Sequence, residues 1–352
     1  MIKGRMLIMK KDMKIVIFGA GAIGQSVGGW LAGVHENLYF LDRGEVAKTM
    51  KEKGITHFQQ GKENEGVHVS VKVISDIKDA RDADVIAIGV KTFSLEGVAK
   101  MIKDTVGDRP FIVAMQNGVE NQVILSKYFS KVIYCVIGYN AWIEKPGVVG
   151  YQKKGPLIFG TRNNELMDEM KEIAAVFNRG VETVVVDHLQ DAAHSKVIIN
   201  LTNSLTTLVG LGFKEISDYG YFQKLLSNLL YEGVQIVKAA GYHECKIGGM
   251  PPWLLIKLSA MLPQWITRPL FMKNVRKMVM SSMAQDIIQR GGHDSELETI
   301  NGYIVGLADK HGVKAPYNRA IYELCKREFA GESFTPRDVK DVWKEVQPRL
   351  DG

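Results

Sequence analysis

The sequence predicts a two-domain protein in which an α/β domain with a doubly wound parallel sheet is followed by an all-α domain. Three observations lead to this prediction. A short apolar run at residues 15–18 breaks into three closely spaced glycines, and strand-like and helical segments then alternate to about residue 187. Beyond that point helical periodicities dominate and no strand-like run returns. Alternation of the first kind is typical of parallel sheets covered by helices.

The first element is a turn that joins a strand to a helix. Residues 15–18 have the β-branched and aromatic character of a buried strand, and residues 25–32 continue as a helix. Between them lie Gly19, Gly21, Ala22, Ile23 and Gly24. This spacing is the dinucleotide fingerprint of a Rossmann-type fold, in which the glycines permit a tight turn, close approach of a pyrophosphate and close helix packing. We therefore expect a dinucleotide site here, with a plain glycine-rich turn as the alternative.

The second parallel strand is predicted at residues 37–42, and it ends at a pair of charged residues. Asp42 stands where an acid would bind a ribose 2′-hydroxyl, which favours NAD. Arg43 follows it and could stack on adenine or pair with a 2′-phosphate, which favours NADP. An ordinary solvated charge pair at a strand end is the alternative.

Further strands and helices complete the predicted sheet. Strand-like runs occur at residues 67–73, 84–90, 110–115 and 132–137, separated by helical stretches such as 95–105 and 120–129. Residues 148–160 and 182–186 are predicted as additional strands at the sheet edge, with a helix at 165–177 between them. Together these segments extend the α/β domain to about residue 187.

The second domain is predicted to be helical, with its boundary near residue 188. Helical periodicity covers residues 192–209, 223–240, 281–288 and 296–311. The predicted organisation is an N-terminal extension at 1–12, a dinucleotide-binding domain at 13–188 and a helical domain at 189–352.

A polar stripe crosses the apolar helix predicted at residues 192–209. Its members, at i, i+4, i+7 and i+8, are Lys196, Asn200, Asn203 and Ser204. Desolvation on such a helix lowers the pKa of a lysine towards neutrality, which suits a general acid. An exposed polar stripe on an amphipathic helix is the alternative.

Two polar residues follow predicted strand ends. Asn117 comes directly after the strand at 110–115, and Lys91 follows the strand at 84–90. Ligands of parallel sheets bind beyond the carboxyl ends of the strands, so both residues are candidate cofactor contacts. For Asn117, a turn residue or helix N-cap is an equally good interpretation.

A third cluster lies between residues 281 and 302. It contains Ser282 and, further on, Ser295 and Glu298 at the spacing of a capping box. Glu296 then falls in the first turn of a helix, where the helix dipole favours its charge whether or not it does chemistry. The spacing alone does not separate these two roles.

Composition excludes several classes of protein. A net charge of +6 over 352 residues is mild, and the basic residues are not interleaved with aromatic ones, so no nucleic-acid partner is expected. The apolar stretch at 251–272 is interrupted by charged and proline residues, so no membrane partner is expected. Cys135, Cys245 and Cys325 have no metal-site spacing, and we expect no metal and a reducing, cytoplasmic location.

Taken together, these segments resemble the ketopantoate reductases (2-dehydropantoate 2-reductases) within the wider group of 6-phosphogluconate-dehydrogenase-like proteins. The resemblance covers most of residues 13–330. Its markers are the glycine turn, Val90-Lys-Thr, Gln116-Asn-Gly, the helix of Lys196 and Asn200, and the motifs Ser-Ser-Met-Ala-Gln-Asp and Ser-Glu-Leu-Glu-Thr-Ile-Asn-Gly.

The resemblance implies roles for individual residues. In that family the residue matching Lys196 is the general acid, the one matching Asn117 lies beside the nicotinamide, and those matching Asn200, Ser282 and Glu296 hold the oxo acid. Ser204 stands where the family often has a second asparagine.

The implied reaction is hydride transfer from NADPH, or from NADH, to the C2 carbonyl of a 2-oxo acid. The substrate would be 2-dehydropantoate, in pantothenate biosynthesis, or a bulkier relative. A homodimer is also expected.

Other interpretations remain open. The segment 251–277 is long, apolar and rich in Met, Trp and Pro, which would suit a substrate lid or a dimer element equally well. An opine-type or hydroxyacid dehydrogenase is a second enzyme interpretation, and a dinucleotide-sensing protein without turnover is a third. Retention of Lys196, Asn200 and Glu296 argues against the sensor, because nucleotide binding requires none of them.

Overall fold

The computed structural model describes residues 12–246, 251–278, 280–289, 291, 295–331 and 333–350. The predicted N-terminal extension lies outside these residues except for Asp12. The chain divides into two compact units. The first contains residues 12–116 and Glu120–Leu189, and the second contains Asn117–Val119 and residues 190–350.

The first unit is built from short strands that alternate with helices. Its strands are β1 Ile15–Phe18, β2 Leu38–Leu41, β3 Ile55–Gln59, β4 Val67–Val69, β5 Lys72–Ile74, β6 Val85–Ile88, β7 Phe111–Ala114, β8 Val132–Ile137, β9 Ala141–Lys145, β10 Val148–Tyr151, β11 Leu157–Gly160 and β12 Thr183–Val185. Its helices are α1 Ala22–Ala32, α2 Gly44–Lys53, α3 Thr92–Thr105, α4 Glu120–Leu125 and α5 Met167–Phe177, with short 3-10 turns at Glu63–Glu65 and Ile77–Ala80.

Eight strands form one sheet in the order β12-β11-β8-β7-β6-β1-β2-β5. All neighbours are parallel except β8 and β11, which run antiparallel. From β1 the chain builds outward through β2 to β5, and then returns to add β6 on the other side of β1. The strand order therefore reverses between β1 and β6, the place where open parallel sheets bind ligands. The predicted fold class is confirmed.

A smaller sheet, in the order β4-β3-β10-β9, was not predicted. The run at 67–73, predicted as one strand, is two strands in different sheets, because β4 pairs with β3 and β5 pairs with β2. Helix α2 and strands β3 and β9 were also not predicted from the sequence. Strand β3 pairs with β10, which lies about ninety residues further along the chain, so no local pattern marks it.

The second unit is built from helices and connecting segments over its described residues, with an isolated β-bridge between Leu211 and Lys214. Its α-helices are α6 Leu189–Asn200, which begins at the last residue of the first unit, α7 Thr202–Val209, α8 Tyr219–Ala239, α9 Trp253–Met261, α10 Gln264–Val275, α11 Ser282–Ala284, α12 Tyr303–His311, α13 Pro316–Phe329 and α14 Val339–Val346. Two π-helical segments cover Gln285–Gln289 and Glu298–Gly302, the second directly before α12, and a 3-10 turn covers Gln347–Arg349.

Helices α6 and α7 form almost one continuous helix, as the sequence predicts. They are separated only by Leu201, which keeps helical backbone angles and whose N–H is shared between the carbonyls of Val197 and Ile198. Val197, Leu201 and Leu205 are fully buried among the side chains of the second unit's core. The helix pair therefore fixes the polar stripe in a rigid, apolar setting.

Candidate functional site

The glycine turn of the first unit has the shape that a dinucleotide requires. Gly19 adopts a φ of +96°, in the region that favours glycine. A Cβ atom on Gly24 would lie 2.0 Å from the carbonyl oxygen of Gly19, so only glycine allows α1 to pack this closely on the turn. A Cβ on Gly21 would meet only the carbonyl oxygen of Gly89, at 3.9 Å, because this position faces open space at the N-terminus of α1. The residues present fit a bound pyrophosphate.

Asp42 supports this turn directly. Its carboxylate accepts the backbone N–H of Ala20, within the turn, and the backbone N–H of Arg43 at 2.6 Å. A carboxylate offers about four lone-pair sites, so these two bonds leave acceptor capacity for a ribose hydroxyl. The Arg43 side chain is exposed and forms no ion pair with any other described residue. Asp42 thus has a structural role in the turn, in addition to the ribose role proposed for it.

Gln116 is a residue of this region to which the sequence assigned no role. Its buried amide nitrogen donates to the carbonyls of Ile88, at 2.7 Å, and Val90, at 3.1 Å, and so holds the chain just after β6. That stretch packs on the glycine turn, since a Cβ on Gly19 would lie 2.7 Å from the Val90 side chain. Lys91, the N-cap residue of α3, is half-buried at the next position. The sequence signals for Gln116 were its place at a strand end beside Asn117 and its part in the marker Gln116-Asn-Gly.

In the second unit, Lys196 and Asn200 lie one turn apart on α6. Lys196 is half-buried and makes no hydrogen bond or ion pair with another described residue. Burial lowers the pKa of its ammonium from the usual 10.5 to about 8, and no nearby charge contributes a resolved effect. Asn200 is 6% exposed, and its side-chain nitrogen has no hydrogen-bond partner among the described residues. A buried donor without a partner is costly, which makes this pair a candidate ligand site.

Ser204 does not fit the direct substrate role predicted for it. The side chain is fully buried, and its hydroxyl donates to the carbonyl of Leu201 at 2.8 Å. The same oxygen accepts the amide of Asn301 at 2.9 Å. Since the hydroxyl is engaged within the core, the geometry argues against a substrate contact and assigns Ser204 a packing function.

Ser282 lies at the start of α11 and is half-buried. Its hydroxyl makes no hydrogen bond to another described residue. The neighbouring Ser281 caps α11 by accepting the N–H of Ala284 and also lies 3.2 Å from the hydroxyl of Thr207 on α7. Ser281 therefore fixes the local structure and leaves the Ser282 hydroxyl available for a ligand.

Glu296 lies beside Asn117. The side-chain nitrogen of Asn117 donates to the Glu296 carboxylate at 3.2 Å, and Glu296 is 4% exposed. Residues 117–119 pack into the second unit although they directly follow a strand end of the first. The structure thus brings together two predicted site residues that are 179 positions apart.

The capping box predicted around Glu296 is not formed in full. Ser295 accepts the N–H of Leu297 at 3.3 Å, but Glu298 instead interacts with Tyr322 and Lys326. The chain that follows is π-helical at Glu298–Gly302 rather than α-helical. Such segments often occur at functional sites, and the helical periodicity of the sequence does not reveal them.

Two kinds of feature are absent from the described residues. No helix there is long and apolar enough to cross a bilayer. No group of three or more His, Cys, Asp or Glu side chains in the described ranges is placed to hold a metal ion.

Solved structures show the same fold. A 2-dehydropantoate 2-reductase from Geobacter metallireducens aligns with 89% of this chain and 99% of its own at a TM-score of 0.73 and 21% identity. D-mandelate dehydrogenase, in a ternary structure with NADH and anilino(oxo)acetate, aligns with 91% of this chain and 99% of its own at a TM-score of 0.71 and 21% identity. At these identities the likeness concerns the fold alone.

Sequence comparisons establish the family. The family model for ketopantoate reductase PanE/ApbA matches residues 15–164, and the model for its C-terminal domain matches residues 188–328. The 2-dehydropantoate 2-reductase of Pyrococcus horikoshii is 30% identical over 89% of this chain and 97% of its own length, and that of Pyrococcus abyssi is 27% identical over 91% and 99%. The chain therefore belongs to the ketopantoate reductase family of NAD(P)-dependent oxidoreductases.

Proposed function

We propose that the protein reduces a 2-oxo acid to a 2-hydroxy acid, with 2-dehydropantoate or a bulkier relative as substrate. The observation that carries the proposal is the state of Lys196, a half-buried ammonium without a partner among the described residues and with a pKa of about 8. A proton donor with a pKa near the working pH is suited to protonate a developing alkoxide. When bound, the reduced nicotinamide supplies the hydride.

The neighbouring side chains supply orientation. Asn200 offers its unpartnered amide N–H to a substrate oxygen one turn from the lysine. Ser282 offers a hydroxyl, and Glu296 accepts a hydrogen bond from the hydroxyl that forms at C2. Asn117 holds the Glu296 carboxylate and is also the proposed neighbour of the nicotinamide. Positioning of this kind removes much of the entropic cost of bringing reactants together.

For the cofactor we propose NADP(H), with NAD(H) as the alternative. The exposed Arg43 side chain, without an ion pair among the described residues, is the group best suited to meet a 2′-phosphate. Lys91 is the second candidate cation. Asp42 argues for NAD(H), because its carboxylate keeps acceptor capacity for a ribose hydroxyl beside its two bonds to backbone N–H groups.

The activity is open to a direct test. Oxidation of NADPH and NADH should be followed by absorbance against a panel that includes 2-dehydropantoate, branched 2-oxo acids and aromatic 2-oxo acids. Turnover of 2-dehydropantoate would place the enzyme in pantothenate biosynthesis. If dinucleotide binds but no oxo acid is reduced, the proposal is wrong, and an opine-type or hydroxyacid dehydrogenase or a dinucleotide-sensing protein remains.

We also propose that the protein is a homodimer, joined through the hairpin of α9 and α10. Both helices pack against α8 with one side, burying residues such as Trp253 and Phe271. Their other side exposes large apolar side chains, namely Leu254, Leu255, Leu258, Met261, Leu262, Trp265, Ile266 and Leu270. Trp265 alone is 78% exposed. Apolar surface of this extent on a helical hairpin is typical of a protein interface. A 2-dehydropantoate reductase of the same fold, from Staphylococcus aureus, is described as dimeric.

The charges on this hairpin predict how the stability of such a dimer would change with salt concentration. Three cations lie on the hairpin, Lys257, Arg268 and Lys273, and no acidic residue occurs between Glu244 and Asp286. A two-fold contact brings the same surface of both copies together, so these cations approach one another. Salt screens that repulsion.

Replacing Gly21 by Val tests the dinucleotide site. The added side chain would fill the space at the N-terminus of α1 that a pyrophosphate needs, while its Cβ meets no protein atom closer than 3.9 Å. We expect a folded protein that has lost NADPH binding in calorimetry. Gly24→Ala is the contrasting variant, since its Cβ would lie 2.0 Å from a carbonyl oxygen and should destabilise the fold. Wild-type affinity in folded Gly21→Val would place the cofactor elsewhere.

Replacing Arg43 by Ala tests the cofactor preference. Loss of a charge-assisted contact to a 2′-phosphate should weaken NADPH binding by on the order of tenfold and leave NADH binding nearly unchanged. Arg162→Ala, at another exposed arginine of the same unit, is the control. Equal losses for both nucleotides would show that Arg43 contacts only the part they share.

Replacing Lys196 by Ala tests the proton donor. General acid catalysis contributes about 10²- to 10⁴-fold, so kcat should fall in that range while the KM for the nucleotide stays nearly constant. In the wild-type enzyme the reduction should be fastest below pH 8 and slow as the pH rises through the Lys196 pKa of about 8, because only the ammonium donates. This alkaline limb should be absent in Lys196→Ala and present in the surface variant Lys310→Ala. Wild-type kcat in Lys196→Ala would assign the proton to another group.

Replacing Leu258 and Trp265 together by Ser tests the assembly. Light scattering should report a dimer for the wild-type protein and a monomer for the double variant, because the exposed apolar surface is lost. Phe213→Ser, at another exposed apolar residue of the second unit, should remain dimeric. Raising the salt concentration should strengthen the wild-type dimer. Dissociation by salt, or a monomeric wild type, would contradict the assignment.

A further inference from the structure

Two hydrogen bonds, one buried and one partly buried, connect the chain that follows Glu296 to the helix pair α6–α7. One is formed by Asn301, within the π-helical segment Glu298–Gly302, and the other by Tyr303, the first residue of α12. Their partners are Ser204 and His194. These four residues are distinct from the groups that act on the oxo acid in the proposed mechanism.

The first connection is a relay that ends at the junction of α6 and α7. The side-chain nitrogen of Asn301 donates to the Ser204 hydroxyl at 2.9 Å, and this hydroxyl donates to the carbonyl of Leu201 at 2.8 Å. Asn301 and Ser204 are both fully buried. Leu201 directly follows Asn200, so the relay is anchored beside the candidate ligand site on α6.

The direction of the second connection follows from hydrogen-bond chemistry. The Nδ1 atom of His194 lies 2.7 Å from the carbonyl oxygen of Gln190, which can only accept, so Nδ1 carries the proton. In the neutral ring Nε2 is then an acceptor, and the Tyr303 hydroxyl, 2.7 Å away, donates to it. Burial lowers the pKa of His194 and raises that of Tyr303 to about 12, so both side chains stay neutral around pH 7.

His194 is also held in place by packing. Its ring stacks on that of Tyr242 with centroids 3.7 Å apart, and the residue is 1% exposed. A ring fixed in this way cannot turn to find another donor. If the Tyr303 hydroxyl were removed, a buried acceptor would be left without a partner.

We propose that Asn301 and Tyr303 are positioning residues, which hold the segment carrying Glu296 in register with the helices carrying Lys196 and Asn200. The inference rests on the proposed function, because it assigns the register a role in oxo-acid reduction. On its outer side the same segment is held by Tyr322 and Lys326, which bind Glu298 at an exposed position. Exposed ionic contacts contribute little, so the bonds of Asn301 and Tyr303 define the register.

The test compares two tyrosines that each donate one hydrogen bond. Tyr303 donates to His194 on α6, and Tyr322, on α13, donates to Glu298. Tyr303→Phe removes only the hydroxyl bound to His194, and Tyr322→Phe removes only the one bound to Glu298. We expect Tyr303→Phe to lower kcat/KM for the oxo acid roughly tenfold or more, as befits a buried acceptor left unpaired, with KM for the nucleotide unchanged. Tyr322→Phe should keep both values near those of the wild type.

A second measurement reports on the register without any turnover. Amide hydrogen exchange over residues 296–303 should accelerate in Tyr303→Phe and stay at the wild-type rate in Tyr322→Phe. Ser204→Ala should behave like Tyr303→Phe, since it breaks the relay to Asn301. A raised KM for the oxo acid with unchanged exchange in Ser204→Ala would instead show that Ser204 contacts the substrate, and would overturn the assignment.

The two proposals fail in different ways. If the wild-type protein reduces no 2-oxo acid, the proposed function is wrong, and faster exchange in Tyr303→Phe would still support the anchoring of this segment. If the wild type is active and Tyr303→Phe loses only thermal stability, with kcat, KM and exchange at wild-type values, the residue has no positioning role and the inference is overturned.

Discussion

The first unit depends on a close contact between backbone segments that leaves no room for a Cβ atom. Gly19 and Gly24 touch within the turn after β1, and a Cβ on Gly89, after β6, would lie 2.9 Å from the Gly19 carbonyl. Asp42 and Gln116 then secure this contact from the two flanking strand ends by binding backbone groups. Because β1 lies between β2 and β6, the geometry of the whole sheet at its reversal point follows from these three glycines.

The sequence predicts the large sheet well, because its strands are short apolar runs bounded by turns. Strand β8, for example, was predicted at the residues where it occurs. The smaller sheet was missed for a physical reason. Strand β3 contains His57 and Gln59, and its pairing with β10 depends on residues far along the chain. Non-local pairing of this kind leaves no periodic signal in either partner.

For the candidate site, the sequence identified residues by type and spacing, but not their hydrogen-bond partners. Lys196 and Asn200 do lie one turn apart on a largely buried helix. Ser204 has the same spacing, yet its hydroxyl is used inside the core by Asn301, which lies almost a hundred residues away. Helical spacing predicts the direction in which a side chain points, but not which residues from other parts of the chain contact it. The contact between Asn117 and Glu296 was also not predicted, because the two residues are 179 positions apart and no local pattern links them.

The π-helical segment Glu298–Gly302 has a consequence for how this chain can vary among its relatives. A π-helical turn holds one residue more than an α-helical one. Losing a single residue here would restore regular α-helical bonding, but each residue of a helix turns the chain by about 100°. Glu296 would then rotate away from Asn117 while α12 stayed in place. A deletion of one residue in this stretch would therefore displace Glu296 even if every remaining side chain were kept.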